Sequence, residues 1–347
     1  MKIAYLFGVG ASRNCLPIVD EIPSRLELMI MLLKTQDEDF FNDQWTEARF
    51  TYTKKELYNF LLSDFEWLLS HSREHASIDT FAKKLYIKGN SRDLRRLKVV
   101  LSAFFVLEQS RMSYDKRYDT FYASILTNSL NSFPKNVRIL SWNYDFQFER
   151  ALSEYSDQND LKSNQGYLNV ISKYNYRKNR PDEFSIIKLN GTSNFLDKSW
   201  RNNYEFCSSF ETCVSTKVIN EVLSNYALLL SSDAKLYCGL SFAWERFTEG
   251  DIDIIESAKL ETADTEILIV IGYSFPYFNR DVDKEIITNM KDLKKVYFQS
   301  PQAEVLIERF QSLHPEFDLK NMVSRKDVGQ FLLPNELLIS SPKIDTL

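Results

Sequence analysis

The sequence predicts an α/β fold: a Rossmann-like parallel sheet with helices on both faces and a large inserted all-helical module. Three observations carry this reading. After residue 133, short apolar runs of strand length alternate with helix-length segments, the pattern of a parallel sheet wound on both faces. Two of the apolar runs end directly in glycine, at Gly8 and Gly272, in a chain with only nine glycines. Between the first run and the next lies a long stretch, 23–133, whose apolar residues recur at helical rather than strand spacing.

The elements follow in order. Lys2 to Phe7 is a short apolar run that suits a buried parallel strand. Pro23 and Ser24 precede a strongly apolar helix carrying Leu26, Leu28, Met29, Met31, Leu32 and Leu33. Thr53 and Glu56 form a capping box, each able to satisfy an exposed backbone donor, and open a helix with Leu57, Phe60, Leu61, Phe65, Leu68 and Leu69. A helix is expected from about Ser91 to Arg111, and another from about Lys116 to Ser129. Val137–Trp142 reads as a strand and Tyr144–Tyr155 as a helix. Ser185–Leu189, Lys235–Cys238, Glu266–Ile271 and Lys295–Phe298 read as strands, with helices from about Asp281 and over about Gln302–Leu313. The polar stretches Ser156–Asn164 and Tyr174–Glu183 read as loops. The implied organisation is a Rossmann domain over 1–22 and 134–347, with the helical module over 23–133 inserted after the first strand.

Composition bounds the function. With 347 residues, 44% of them hydrophobic, the chain can bury a large core. A net charge of −5 argues against a bulk basic surface, so direct nucleic-acid binding is not expected. No apolar run approaches the ~20 residues of a membrane-spanning helix, and nothing at the N-terminus reads as a signal peptide. Four irregularly spaced cysteines suit a reducing compartment better than a disulfide scaffold, which gives a cytoplasmic expectation. One basic run, Lys83, Lys84, Lys88, Arg92, Arg95, Arg96 and Lys98, stands out. It reads as a solvated helix face, with a docking surface as the alternative.

Four strand ends carry polar or glycine-bearing segments. Gly8-Val9-Gly10-Ala11-Ser12 follows the first strand, where glycines let the backbone approach a pyrophosphate and amides supply donors; an ordinary two-glycine turn is the alternative. Asn143 and Asp145 follow the second, one able to orient a water or a ribose hydroxyl and the other to cap the next helix. Asn190, Gly191 and Thr192 follow the strand at 185–189, and Gly272 and Ser274 follow the strongest strand. Singly, each reads as a loop with cap residues. Together, on one side of one parallel sheet, they read as a cleft.

The order Gly-x-Gly-Ala-Ser, a nearby Leu16-Pro17, Asn-x-Asp, a residue–Gly pair and then Gly-x-Ser resembles the sirtuin-like domains of bacterial anti-phage defence proteins. The resemblance implies NAD⁺ as the substrate. By matching position, the phosphate-holding role falls on Gly8, Gly10, Ala11 and Ser12, with Pro17 at the family's proline. The nicotinamide and ribose pocket falls on Asn143 and Asp145, and the place of the catalytic base on Asn190, followed by Gly191 and Thr192. Contacts on the adenine side fall on Gly272 and Ser274, and Ser300 after the next strand completes the cofactor-binding set.

Two departures shape the expectation. The paired cysteines of a structural zinc site are absent, since five residues separate Cys207 from Cys213 and Cys238 lies well beyond. The resemblance therefore points to the zinc-free, NAD⁺-hydrolysing branch, with no metal. The family's catalytic histidine is replaced by Asn190, which cannot accept a proton near neutral pH. A weak or inactive paralogue, an introduced substitution, or another base such as His75 would each account for it. The expected activity is cleavage of NAD⁺ to nicotinamide and ADP-ribose by a defence effector. It would be activated by homo-oligomerisation or by a sensing partner such as a DNA-translocase-type ATPase. The rival is a non-catalytic NAD⁺ or ADP-ribose sensor or scaffold subunit.

Overall fold

The computed structural model describes residues 1–42, 52–130, 132–174, 183–197, 204–205, 211–230, 236–245 and 252–339. The first strand, β1 (Ile3–Phe7), is fully buried, and its one side-chain polar atom, the Tyr5 hydroxyl, donates to the Leu332 carbonyl at 3.1 Å. Five helices follow: α1 (Ile22–Leu33), α2 (Glu38–Asn42), α3 (Lys54–Glu74), α4 (Ile78–Ile87) and α5 (Ser91–Gln109). The capping box read at Thr53 and Glu56 is present, with the Glu56 amide donating to the Thr53 hydroxyl at 3.2 Å. Next come α6 (Lys116–Ile125), β2 (Val137–Ser141), α7 (Gln147–Ser156), α8 (Leu161–Tyr167), β3 (Val170–Ser172) and β4 (Ser185–Lys188). Then follow β5 (Gly191–Asp197), β6 (Tyr204–Glu205), α9 (Thr216–Leu230), β7 (Leu236–Leu240) and α10 (Ile254–Thr262). The chain continues through β8 (Ile267–Ile271), α11 (Arg280–Thr288), β9 (Lys295–Gln299), α12 (Ala303–Leu313), β10 (Met322–Arg325) and α13 (Asn335–Ile339).

Among the described residues the main sheet has seven strands, all parallel, in the order β10-β9-β8-β1-β2-β4-β3. Its strands alternate between two cores, as a period of two demands. Tyr5, Phe7, Ile139, Ile186 and Ile269 face α6 and α7. Ala4, Leu6, Leu140, Ile187 and Val270 face α10, α11 and α12. Helices thus cover both faces, which is the Rossmann-like α/β arrangement the sequence predicts.

A third core unites α1, α3, α4 and α5 with α9 and with Phe195 and Leu240 of the smaller antiparallel sheet β6-β5-β7. The helices between β1 and β2 therefore do not pack as one unit. Tyr118, Phe121 and Tyr122 of α6 pack on the main sheet, while α9, β5 and β7 from the later chain pack on the helices. The stretch at 156–164 also departs from its loop reading, since α7 ends at Ser156 and α8 starts at Leu161. Of the stretch at 174–183, residues 175–182 lie outside the described residues.

Candidate functional site

The four strand-end segments become neighbours because β8, β1, β2 and β4 are consecutive in the sheet. From β1 the chain moves to β2 on one side and later returns to β8 on the other. The strand order reverses at β1, and such a switch point opens a crevice at the carboxyl ends of the strands. Gly8–Ser12 sits there, between the Asn143 loop and the Gly272 loop.

The glycine loop is held by its own backbone. The Gly8 amide donates to the Ile271 carbonyl at 3.0 Å, the Gly10 amide to the Gly272 carbonyl at 3.0 Å, and the Ala11 amide to the Gly8 carbonyl at 2.9 Å. A Cβ on Gly8 would lie 2.6 Å from the Tyr273 Cα, and one on Gly10 would lie 2.9 Å from the Gly272 Cα. The glycines are required because two backbones cross in contact, and the amides of Gly8, Gly10 and Ala11 are used inside the protein. Val9–Ser12 forms a 3₁₀ turn. From below, the Arg117 guanidinium donates to the Ala11 carbonyl at 2.9 Å while ion-paired with Asp115 at 2.6 Å.

Ser12 joins this loop to the second segment. Its hydroxyl donates to Asp145 Oδ2 at 2.7 Å. Having spent its one hydrogen, it accepts from the Tyr118 hydroxyl at 2.9 Å and from Asn143 Nδ2 at 3.3 Å. Burial pushes the Tyr118 phenol well up, and the nearby Asp145 adds to the effect, so it stays a donor. Asp145 Oδ1 accepts from the amide of Gln147, the first residue of α7, at 3.2 Å, while the N-cap position itself is Phe146.

Asn143 is 4% exposed, and its Nδ2 also donates to the Gly8 carbonyl at 3.0 Å. That bond fixes the amide, because the reverse orientation would set two oxygens against each other. Its Oδ1 is left with no hydrogen-bond partner among the described residues. A buried acceptor without a partner is uncommon and calls for an explanation. Asn143 lines a cavity of about 30 Å³ together with Ser12, Pro17, Tyr144 and Asp145. The far wall comes from the helices: Ile22 of α1, Asp79 of α4 and Phe105 of α5.

Beneath the loop, the fully buried Lys188 at the end of β4 donates to the Asp145 carbonyl and pairs with Glu149 at 3.2 Å. Burial pushes the Glu149 carboxyl up, and the ammonium of Lys188 opposes that shift. The pair holds the end of β2 in place without reaching the cavity lining. Neither its role nor those of Arg117, Tyr118 and Asp79 emerges from the sequence reading.

The third segment behaves differently from the other two. Asn190 is 6% exposed; its Nδ2 donates to the Trp142 carbonyl at 3.0 Å, and its Oδ1 accepts from the Ala243 amide at 3.2 Å. Both ends of the amide clamp β4 to neighbouring backbone. Gly191 and Thr192 begin β5 rather than a loop, and a Cβ on Gly191 would lie 2.2 Å from the Gly239 carbonyl. Ser274 is exposed, and its carbonyl accepts from Arg309. Ser300 lies at the end of β9, where its hydroxyl accepts from the Gln302 amide at 3.1 Å at the start of α12.

His75 lies away from the cavity lining. Its Nδ1 meets the His71 carbonyl at 3.0 Å and its Nε2 meets Lys84 Nζ at 3.1 Å. Among the described residues His71, Glu74 and His75 bring ligand-type atoms within 4.8 Å of one another, and the Lys84 ammonium occupies the approach to one of them. Much of the basic run is engaged in packing. Arg96 pairs with Asp64, Lys98 with Glu245, and Lys83 lies over the Trp244 ring at 4.5 Å.

No protein-family model matches the chain, and no curated protein matches it. Solved structures of Sir2 proteins do. A Sir2 homologue in complex with NAD matches over 90% of this chain and 89% of its own, at 13% identity and a TM-score of 0.38. A mutant of Sir2 homologues with 2'-O-acetyl ADP-ribose matches over 92% and 94%, at 14% identity and a TM-score of 0.37. A further Sir2 homologue mutant with ADP-ribose matches over 90% and 92%, at 13% identity and a TM-score of 0.37. Similarity at this level bears on no individual residue of the site.

Proposed function

We propose that the chain binds NAD⁺ across the ends of β8, β1, β2 and β4 and hydrolyses its N-glycosidic bond to give nicotinamide and ADP-ribose. One observation carries the reading: at the switch point of the sheet, Asn143 presents a buried Oδ1 with no partner among the described residues beside a cavity. An amide fixed through Nδ2 is suited to orient a ribose hydroxyl or a water through its oxygen. The Ser12–Asp145–Tyr118 network locks that amide before any ligand arrives, so orientation costs little at binding.

Following the resemblance to the zinc-free defence branch, the activity is that of an effector that depletes NAD⁺ in anti-phage defence. It acts as a homo-oligomer or under a sensing partner such as a DNA-translocase-type ATPase. No helix among the described residues is long and apolar enough to cross a membrane.

A second reading has its own observation. Asn190, at the place of the family's base, spends both ends of its amide on backbone groups, which favours an NAD⁺ or ADP-ribose sensor without turnover. Purified protein incubated with NAD⁺ separates the two. Release of nicotinamide and ADP-ribose supports the hydrolase. Calorimetric binding with no product at any protein concentration supports the sensor. Neither binding nor product removes both.

A further inference from the structure

Two acceptors bound the cavity at the end of β1, and they come from different elements. Asn143 Oδ1 has no partner among the described residues. Asp79 stands in the first turn of α4, partly buried, on the wall that the helices supply. It is not the N-cap of α4, which is Ser77, whose hydroxyl accepts from the Thr80 amide at 3.0 Å. A cavity of about 30 Å³ exceeds the roughly 10–15 Å³ that a single water needs. The lining brings both acceptors to one cavity, and a water held by the two would have both hydrogens directed and a lone pair left free for attack.

We propose that Asp79 is the general base of the hydrolysis, holding the attacking water together with Asn143 and taking its proton. The proposal rests on the NAD⁺-hydrolysis reading. In the step, the water oxygen bonds to C1′ of the nicotinamide ribose. The C1′–N bond breaks with its electron pair leaving on nicotinamide, which departs neutral. The proton of the water passes to the Asp79 carboxylate, and the products are ADP-ribose, nicotinamide and one proton. Burial pushes the Asp79 carboxyl up to about 6, with its own backbone amide opposing the shift. A base near that value is mostly ionised at neutral pH yet still basic enough to accept a proton. The titratable groups facing it are Asp145 in the same lining and the phenols of Tyr144 and Tyr273. Burial pushes both phenols well up, so they remain neutral across the working range.

The experiment compares wild type with Asp79→Asn, Asp79→Glu and His75→Ala. It follows nicotinamide release from NAD⁺ between pH 5 and 9, and NAD⁺ affinity by calorimetry. Asp79→Asn is expected to lose about 10²–10⁴-fold in kcat, with NAD⁺ affinity kept. The rise of the wild-type rate through about pH 6 should vanish with it. Asp79→Glu should recover part of the rate, and His75→Ala should match wild type in rate and pH profile. If wild type turns over and Asp79→Asn keeps its rate within a few-fold with the same pH limb, the base assignment is overturned and the hydrolase reading stands. If wild type binds NAD⁺ and releases no nicotinamide, both fall.

Discussion

Replacing Gly272 by alanine tests the close crossing of backbones that shapes the crevice. Gly272 has φ +62°, and a Cβ there would lie 2.3 Å from the Ala11 nitrogen and 2.5 Å from the Gly10 carbonyl carbon. Both obstacles are backbone, so no side-chain rotamer can relieve them. Gly89 supplies the control, because its φ is +66° and a Cβ there would meet nothing within 4 Å. The left-handed conformation costs an alanine about 1–2 kcal/mol at either position. Reduced freedom of the unfolded chain returns about 0.4–1 kcal/mol at either position. These terms cancel in the comparison and leave Gly89→Ala at about 1 kcal/mol. Overpacking costs typically about 1–3 kcal/mol, and against backbone the upper end applies. Gly272→Ala should therefore lose about 3–4 kcal/mol, some 2–3 kcal/mol more than Gly89→Ala. Urea denaturation of the two variants and wild type, analysed at a common slope, measures the difference. If the two variants agree within about 0.5 kcal/mol, the backbones do not cross as described and the geometry of the crevice is wrong.

Three further predictions follow from the same contacts. Burial pushes the Asp283 carboxyl up to about 8, against the hydrogen bond from Tyr273 at 2.8 Å. The folded state thus holds a proton that the unfolded chain releases near pH 4, so stability should fall between about pH 4 and 8 and level off above, by at most about 6 kcal/mol. Melting temperature against pH should show a flatter slope for Asp283→Asn, and an unchanged slope would contradict the assignment. Lys188→Met leaves the Glu149 carboxylate buried alone and should cost about 3–5 kcal/mol in urea denaturation. The double variant with Glu149→Gln should recover much of that loss, and additive losses would refute the pairing. Asn190→His should fail to raise nicotinamide release and should cost about 1–3 kcal/mol, because the ring cannot reproduce the bonds to the Trp142 carbonyl and the Ala243 amide. A gain in rate would return Asn190 to the position of the base.

The sheet was legible where its signal is local. Runs such as Ile3–Phe7 and Ile267–Ile271 are apolar at every position, and strands buried on both faces must be. The strand order was not legible, because nothing within Ile267–Ile271 says that it pairs with Ile3–Phe7. Strand β3 has three residues, too few for a period to show. Strand β5 begins with Gly191, Thr192, Ser193 and Asn194, polar enough to read as a loop, yet these residues are buried under α5 and beside β7. Helix α9 did carry a signal, with Val218, Ile219, Val222, Leu223 and Tyr226 at helical spacing. At the site, the sequence pointed to Asn143 and Asp145 by type and place. Asp79 stayed hidden because an acid in the first turn of a helix already has a local explanation. Only the fold brings it to a cavity whose other wall belongs to the segments that follow β1 and β2.

Tyr144 lies between Asn143 and Asp145 in the chain, yet its ring belongs to the helical core, edge-on to Phe105 at 4.9 Å. The loop that carries the acceptor is therefore clamped at Tyr144 by one core, while Trp142 just before it packs in another. A ligand that bound α3, α4 or α5 more tightly in one arrangement of the helices would change the setting of Asn143. By thermodynamic reciprocity, whatever occupies the crevice would change the affinity of the helices for that ligand by the same factor. The seam between the two cores is where an outside signal could be exchanged for occupancy of the site.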